Sequence, residues 1–173
     1  MPIQKIVLIV HNVRSCHNVG SILRSADAFG IDAVYLTGYT PFPTSDEDKR
    51  LPHLAAKLNK QIAKTALGAE MSVNWAYREN IAEVLSELVD KGYIIAALEQ
   101  TRSSVPLTDY SAASDIALIV GREVEGIEKE VLDKVSLVLE IPMMGKKESL
   151  NVSVAAAIAM HHLRLQGGQP RKT

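Results

Sequence analysis

Polar and glycine residues gather in three short segments of this 173-residue chain. The first is Asn18-Val-Gly-Ser-Ile-Leu-Arg24-Ser-Ala-Asp27-Ala-Phe-Gly30 and the second Gly121-Arg-Glu123-Val-Glu-Gly126. The third joins Ile141-Pro-Met143-Met-Gly145, through Lys146 and Lys147, to Ser149-Leu-Asn151-Val-Ser153. Each falls where a strand gives way to a loop or helix, the crevice in which open α/β sheets bind ligands. Glycine there lets a ligand approach the backbone closely. Taken singly, the same residues allow plainer roles: an Arg24–Asp27 pair on a helix surface, a Glu123 at a helix start and a capping Ser149.

Other chemistries are excluded by what is missing. No G-x-G-x-x-G follows a strand, so the dinucleotide fingerprint fails. No G-x-x-x-x-G-K-[ST] occurs, because the second segment lacks the lysine and the third the leading glycine. No G-x-S-x-G elbow appears. The five histidines and Cys16 show no zinc-ligand spacing. Cys16 beside His17 suggests a thiol nucleophile only weakly, since chain neighbours rarely form that pair.

The elements that must position these segments read as alternating strands and helices. Residues 6–10 (IVLIV) form an apolar run of the kind buried on both faces of a parallel sheet. Asn18 is expected to cap a helix reaching Phe29, with Val19, Ile22, Leu23 and Ala26 as its core stripe and Gly20, Arg24 and Asp27 on another face. Gly30 stops that helix, and 32–36 (DAVYL) is the second strand. Further strands are expected at 72–75, 93–98, 116–120 and 137–141, with a helix over 81–89. Residues 99–114 read as a polar loop, and Gly126 as the start of a helix reaching Val135. The last helix begins near Ser149, and Ser153, Ala155, Ala156, Ala157 and Ala159 admit a closely packed neighbour. Strand–helix–strand order gives an α/β fold, a mostly parallel sheet with helices on both faces.

The totals fit one domain with a sizeable core. Hydrophobic residues make up 47% of the chain, and no apolar run reaches the roughly 18 residues of a membrane span. The first residues read as a strand rather than a signal peptide. One cysteine excludes an internal disulfide and suits a reducing cytoplasm. With 19 basic and 20 acidic residues the net charge is −1, so any attraction to nucleic acid is local. The local candidate is 50–64, where Arg50, His53, Lys57, Lys60 and Lys64 recur at helical spacing beside Leu51, Leu54, Leu58 and Ile62. That pattern is either a solvated helix face or a ridge that docks phosphates.

Together and in this order, the three segments resemble the signature motifs of the SpoU/TrmH branch of the SPOUT methyltransferases. The resemblance covers nearly the whole chain. It implies an S-adenosylmethionine-dependent RNA ribose 2′-O-methyltransferase that releases S-adenosylhomocysteine and acts on tRNA or rRNA. It implies a single domain over 1–173, a C-terminal deep trefoil knot within about 95–166, and a homodimer through the knot region with catalytic residues near the interface. By direct match, Arg24 and Asn18 are its first-motif pair, Glu123 organises the site, and Ser149 and Asn151 are the third-motif polar pair. Gly121, Gly126, Ile141, Met143 and Leu150 are expected around the cofactor, with the segment Leu98–Thr101 closing its adenosine side.

No further RNA-binding domain and no metal are expected. RNA would therefore be held by the catalytic domain itself: by Arg24, Arg50, Lys57, Lys60 and Lys64, with Lys146, Lys147, Arg164, Arg171 and Lys172 in support. Two alternatives stay open. One is base methylation within the same superfamily. The other is a non-catalytic RNA-binding or chaperone module.

Overall fold

The computed structural model describes residues 4–46, 48–111 and 114–166. Glu47, Arg171 and Lys172 lie outside them. Seven parallel strands, β1 (Ile6–His11), β2 (Ala33–Thr37), β3 (Trp75–Arg78), β4 (Ile94–Leu98), β5 (Val105–Pro106), β6 (Ile116–Val120) and β7 (Leu137–Glu140), form one sheet in the order β3-β2-β1-β6-β4-β7-β5. The interior strand β1 is buried along its whole length, as its unbroken apolar run requires.

Alternate residues of the strands feed two cores. Ile6, Leu8, Val10, Leu118 and Val120 face α1 (Cys16–Ala28), α2 (Pro52–Ala66) and α6 (Val152–Gln166). Val7, Ile9, Ile95 and Ile119 face α4 (Ile81–Asp90) and α5 (Lys129–Leu132). The expected α/β sheet with helices on both faces is therefore present. Val19, Ile22, Leu23 and Ala26 form the α1 stripe as the spacing predicts, all fully buried. Ala156 and Ala159 of α6 are equally buried, in the core that α1 shares. A four-residue helix, α3 (Ala69–Ser72), follows α2 and has no counterpart in the sequence reading.

Several expectations need correction. Ser15, not Asn18, caps α1: its hydroxyl accepts from the Asn18 amide at 3.2 Å, which frees the Asn18 side chain. Asn151, not Ser149, precedes α6 and accepts from the Ser153 amide at 2.9 Å. Gly126 does not open a long helix. It turns at φ +69°, paired with Arg122, and only Lys129–Leu132 is helical. The strand expected at 72–75 lies at Trp75–Arg78, and the loop at 99–114 contains β5 and a 3-10 turn, Leu107–Asp109. Gly20 is buried against α2 rather than exposed.

Candidate active site

A cleft of about 360 Å³ opens at the carboxyl ends of β6, β4 and β7, neighbours in the sheet. The segment after β4 contributes Leu98, Glu99 and Gln100; that after β6 contributes Gly121, Arg122, Glu123 and Gly126; that after β7 contributes Ile141, Met143, Ser149 and Leu150. The expected cofactor residues Leu98, Gly121, Gly126, Ile141, Met143 and Leu150 thus line one cleft. Thr101 does not: its amide donates to the Ser104 hydroxyl at 3.2 Å within its own turn, outside the lining.

The glycines explain the shape of the second loop. A Cβ on Gly121 would meet Ile127 Cγ1 at 2.5 Å, and one on Gly126 would meet Glu99 Oε2 at 2.4 Å. Glu99 Oε2 accepts from the Ile127 amide at 3.1 Å, which fastens this loop to the end of β4. Arg122 Nε donates to the Gly126 carbonyl at 3.1 Å and closes the turn. Neither position has room for a side chain.

Two carboxylates lining the cleft, Glu140 and Glu148, escaped the sequence reading, and Glu99, Glu123 and Glu125 join them there. The five belong to the segments at the ends of β4, β6 and β7, and no spacing ties those segments together. These carboxylates suit a cation, while Leu98, Ile141, Met143 and Leu150 offer apolar surface in the same lining.

The three motif segments meet through side chains. Asn18 Nδ2 donates to Glu123 Oε1 at 2.9 Å, and Asn151 Nδ2 donates to Asn18 Oδ1 at 3.2 Å. This chain joins α1, the β6 loop and the start of α6. Ser149 lines the cleft and is exposed. Arg24 is exposed on α1, outside the lining, and makes no hydrogen bond or ion pair among the described residues.

Beneath the site, His11 Nδ1 pairs with Thr37 Oγ1 at 2.8 Å, and Nε2 lies 3.3 Å from Glu128 Oε2. Burial pushes the His11 imidazole below its ordinary value, against the pull of Glu128. Burial pushes the Glu128 carboxyl up. Its own backbone amide, Asn12, His11 and Arg122 outweigh that and hold it low.

The basic residues divide. Lys57, Lys60 and Lys64 are exposed on α2 and unpaired among the described residues. Arg50 is not free: it donates to Asp48 and to the carbonyls of Phe42 and Pro43, and holds the Asp48 carboxyl down at about 2. Arg164 is buried, bonding the carbonyls of Gln4, Phe29 and Gly30 and the Asp32 carboxylate, so it is withdrawn as an RNA contact. Leu51 and Leu54, expected on the apolar face of α2, are exposed; Ala55, Ile62 and Ala66 are the buried ones. Burial raises the Cys16 thiol, which weakens any nucleophile reading. Among the described residues, no cluster of three or more His, Cys, Asp or Glu could hold a metal ion, and no helix is long and apolar enough to cross a membrane.

A parallel α/β domain with a glycine-containing, glutamate-lined cleft at its carboxyl edge is the architecture in which open α/β sheets bind ligands. The SpoU rRNA Methylase family model matches residues 5–161, and the chain belongs to that family. A Staphylococcus aureus protein assigned to the TrmH family of tRNA/rRNA methyltransferases is 34% identical over 160 residues, covering 91% of this chain and 57% of that protein. The chain thus spans little more than half the length of the curated relatives it matches. An AdoMet-bound rRNA methyltransferase from Sinorhizobium meliloti superposes with a TM-score of 0.78 at 21% identity, over 95% of this chain and 57% of that one. An RNA 2′-O ribose methyltransferase superposes with a TM-score of 0.77 at 25% identity, again over 95% and 57%.

Proposed function

We propose that this chain transfers the methyl group of S-adenosylmethionine to the ribose 2′-oxygen of a nucleotide in tRNA or rRNA, releasing S-adenosylhomocysteine. The carrying observation is the Glu123–Asn18–Asn151 hydrogen-bond chain, which joins the three motif segments at the mouth of one cleft. Family membership and the AdoMet-bound neighbour of the same fold support the donor. So does the lining: carboxylates fit a sulfonium and an ammonium, the backbone of Gly121 and Gly126 suits a flat ring, and Leu98, Ile141, Met143 and Leu150 suit apolar surface. When bound, the donor supplies a methyl on a positively charged sulfur. The carbon–sulfur bond breaks as the carbon–oxygen bond forms, and the hydroxyl proton is lost.

The residues divide that work. Glu123, Asn18 and Asn151 hold the loops in register, and Ser149 offers a hydroxyl at the cleft. Arg24, exposed and unpaired, grips the phosphate beside the target ribose and stabilises the developing alkoxide. A guanidinium stays protonated to about pH 12, so a grip suits it better than proton abstraction. Lysine in its place keeps the charge and loses the bidentate fork. Arg24→Lys should therefore cut turnover at least tenfold with S-adenosylmethionine affinity intact; near-wild-type turnover removes this role.

The working unit we propose is a homodimer through the C-terminal region, threaded within about 95–166, in a reducing cytoplasm. Val154, Ile158 and Leu165 turn outward from α6 and supply an apolar face for a second copy. Incubation with donor and bulk tRNA or rRNA, followed by nucleoside mass spectrometry, tests the reaction. Ribose-methylated nucleosides are expected; base-methylated ones would establish the superfamily alternative, and an unmodified RNA would leave a binding module.

A further inference from the structure

A second cleft, also of about 360 Å³, opens on the other half of the same sheet edge, after β1, β2 and β3. Its lining includes Arg14, Tyr39, Phe42, Arg50 and Tyr77. Phe42 stacks on Tyr77 with ring centroids 4.0 Å apart, and the Arg50 guanidinium lies 3.6 Å from the Phe42 ring on a further contact. Asp48 and two carbonyls fix Arg50, so this stack is a rigid floor. Tyr77 adds a hydrogen bond of 2.7 Å to the Gly38 carbonyl.

Above that floor two exposed groups lie against each other, with the Arg14 side chain hydrogen-bonded to that of Tyr39. Tyr39 is 49% exposed, and the exposed Arg14 guanidinium lies 5.6 Å from its ring centroid. The loop that carries Tyr39 is held in place: its amide donates to Asn12 Oδ1 at 3.1 Å, and Gly38 turns at φ +65°. Arg14 also lies within electrostatic reach of Glu123 and Glu125, which line the first cleft.

We propose that this second cleft is a nucleotide site, taking an unpaired nucleotide of the substrate RNA beside the methylated one, with its base on Tyr39 and its phosphate on Arg14. The assignment rests on the RNA-methylating reading and deepens it. An exposed ring next to a guanidinium is the chemistry that holds single-stranded RNA, since every base has a face to stack and every linkage a negative charge. A paired base has no free face, so the site selects a loop over a duplex.

Trp75, the one tryptophan of the chain, has its ring centroid 6.4 Å from that of Phe42 and reports on the floor of this cleft. Titrating the full chain with penta-uridylate, penta-adenylate and a blunt RNA duplex should change Trp75 emission with the single strands and not with the duplex. Tyr39→Ala should weaken single-strand binding roughly tenfold, within the range for losing one stacked base, and Tyr39→Phe should restore it. Arg14→Ala should lower the salt slope by about one. All three should bind S-adenosylmethionine as the wild type does. Wild-type affinity in both alanine variants, equal binding of the duplex, or no single-strand binding at all overturns the site. Methyl transfer to bulk RNA is read separately: its presence with any of those results sinks this site alone, and its absence with single-strand binding intact sinks the enzymatic reading instead.

Discussion

Gly20→Ala sets two effects of opposite sign against each other. Gly20 lies inside α1, where alanine is favoured by about 1 kcal/mol on helix propensity alone. The structure predicts the reverse outcome. A Cβ there would stand 2.2 Å from the Ile62 carbonyl oxygen, 2.2 Å from Thr65 Oγ1 and 2.9 Å from the Ala66 amide nitrogen. Two of those atoms are backbone, so α2 must retreat by about 1 Å as a body to restore ordinary contact. Ile62 and Ala66 are buried at that seam, and Thr65 donates to the His17 carbonyl at 2.8 Å across it. Overpacking of this kind costs about 3 kcal/mol, and the strained hydrogen bond about 1 kcal/mol more. Subtracting the propensity gain leaves roughly 3 kcal/mol of destabilisation, or a melting point lower by about 6–12 °C for a chain of this size. Urea denaturation followed by circular dichroism measures it, with the slope unchanged. A Gly20→Ala protein as stable as the wild type, or more so, would refute the close α1–α2 approach and with it the placement of Asn18 and Arg24.

The remaining predictions concern charge. Lys57→Glu with Lys60→Glu should weaken binding of bulk tRNA and flatten its salt dependence by about two in slope, leaving donor affinity unchanged; an unaltered slope makes α2 a plain solvated face. The His11 imidazole is held below its ordinary 6.5 by burial, with Glu128 and Arg122 facing it. The unfolded chain then binds the extra proton first, so stability is complete above about pH 6.5 and falls as pH drops below it. Denaturant midpoints from pH 7.5 to 5 should show that loss, and His11→Gln should remove its His11 share; an unchanged profile in the variant contradicts the assignment.

What was legible in the sequence follows the strength of each local signal. The run 6–10 could only be a strand buried on both faces, and the α1 stripe needed nothing beyond helical spacing. The cleft-lining glycines were legible because a loop that approaches a ligand must carry them. Capping misled at α1: Asn18 suits a helix start, but Ser15 caps the helix and the Asn18 side chain reaches Glu123 instead. Gly126 looked like a helix start because periodicity does not register a backbone spent in a turn. Arg50 and Arg164 looked like free cations because a sequence does not show which carbonyls come within reach after folding. The same blindness hid Glu140 and Glu148, brought beside Glu99 only by strand order.

Calorimetric titration of S-adenosylmethionine into the purified chain tests most directly whether the three loops build a donor site. Saturable binding of one donor per chain is expected. Leu150→Asp, at a partly exposed wall position, should abolish it without lowering the melting point. A wild-type chain that gives no binding heat at millimolar donor, or a Leu150→Asp chain that binds as well as the wild type, contradicts the account.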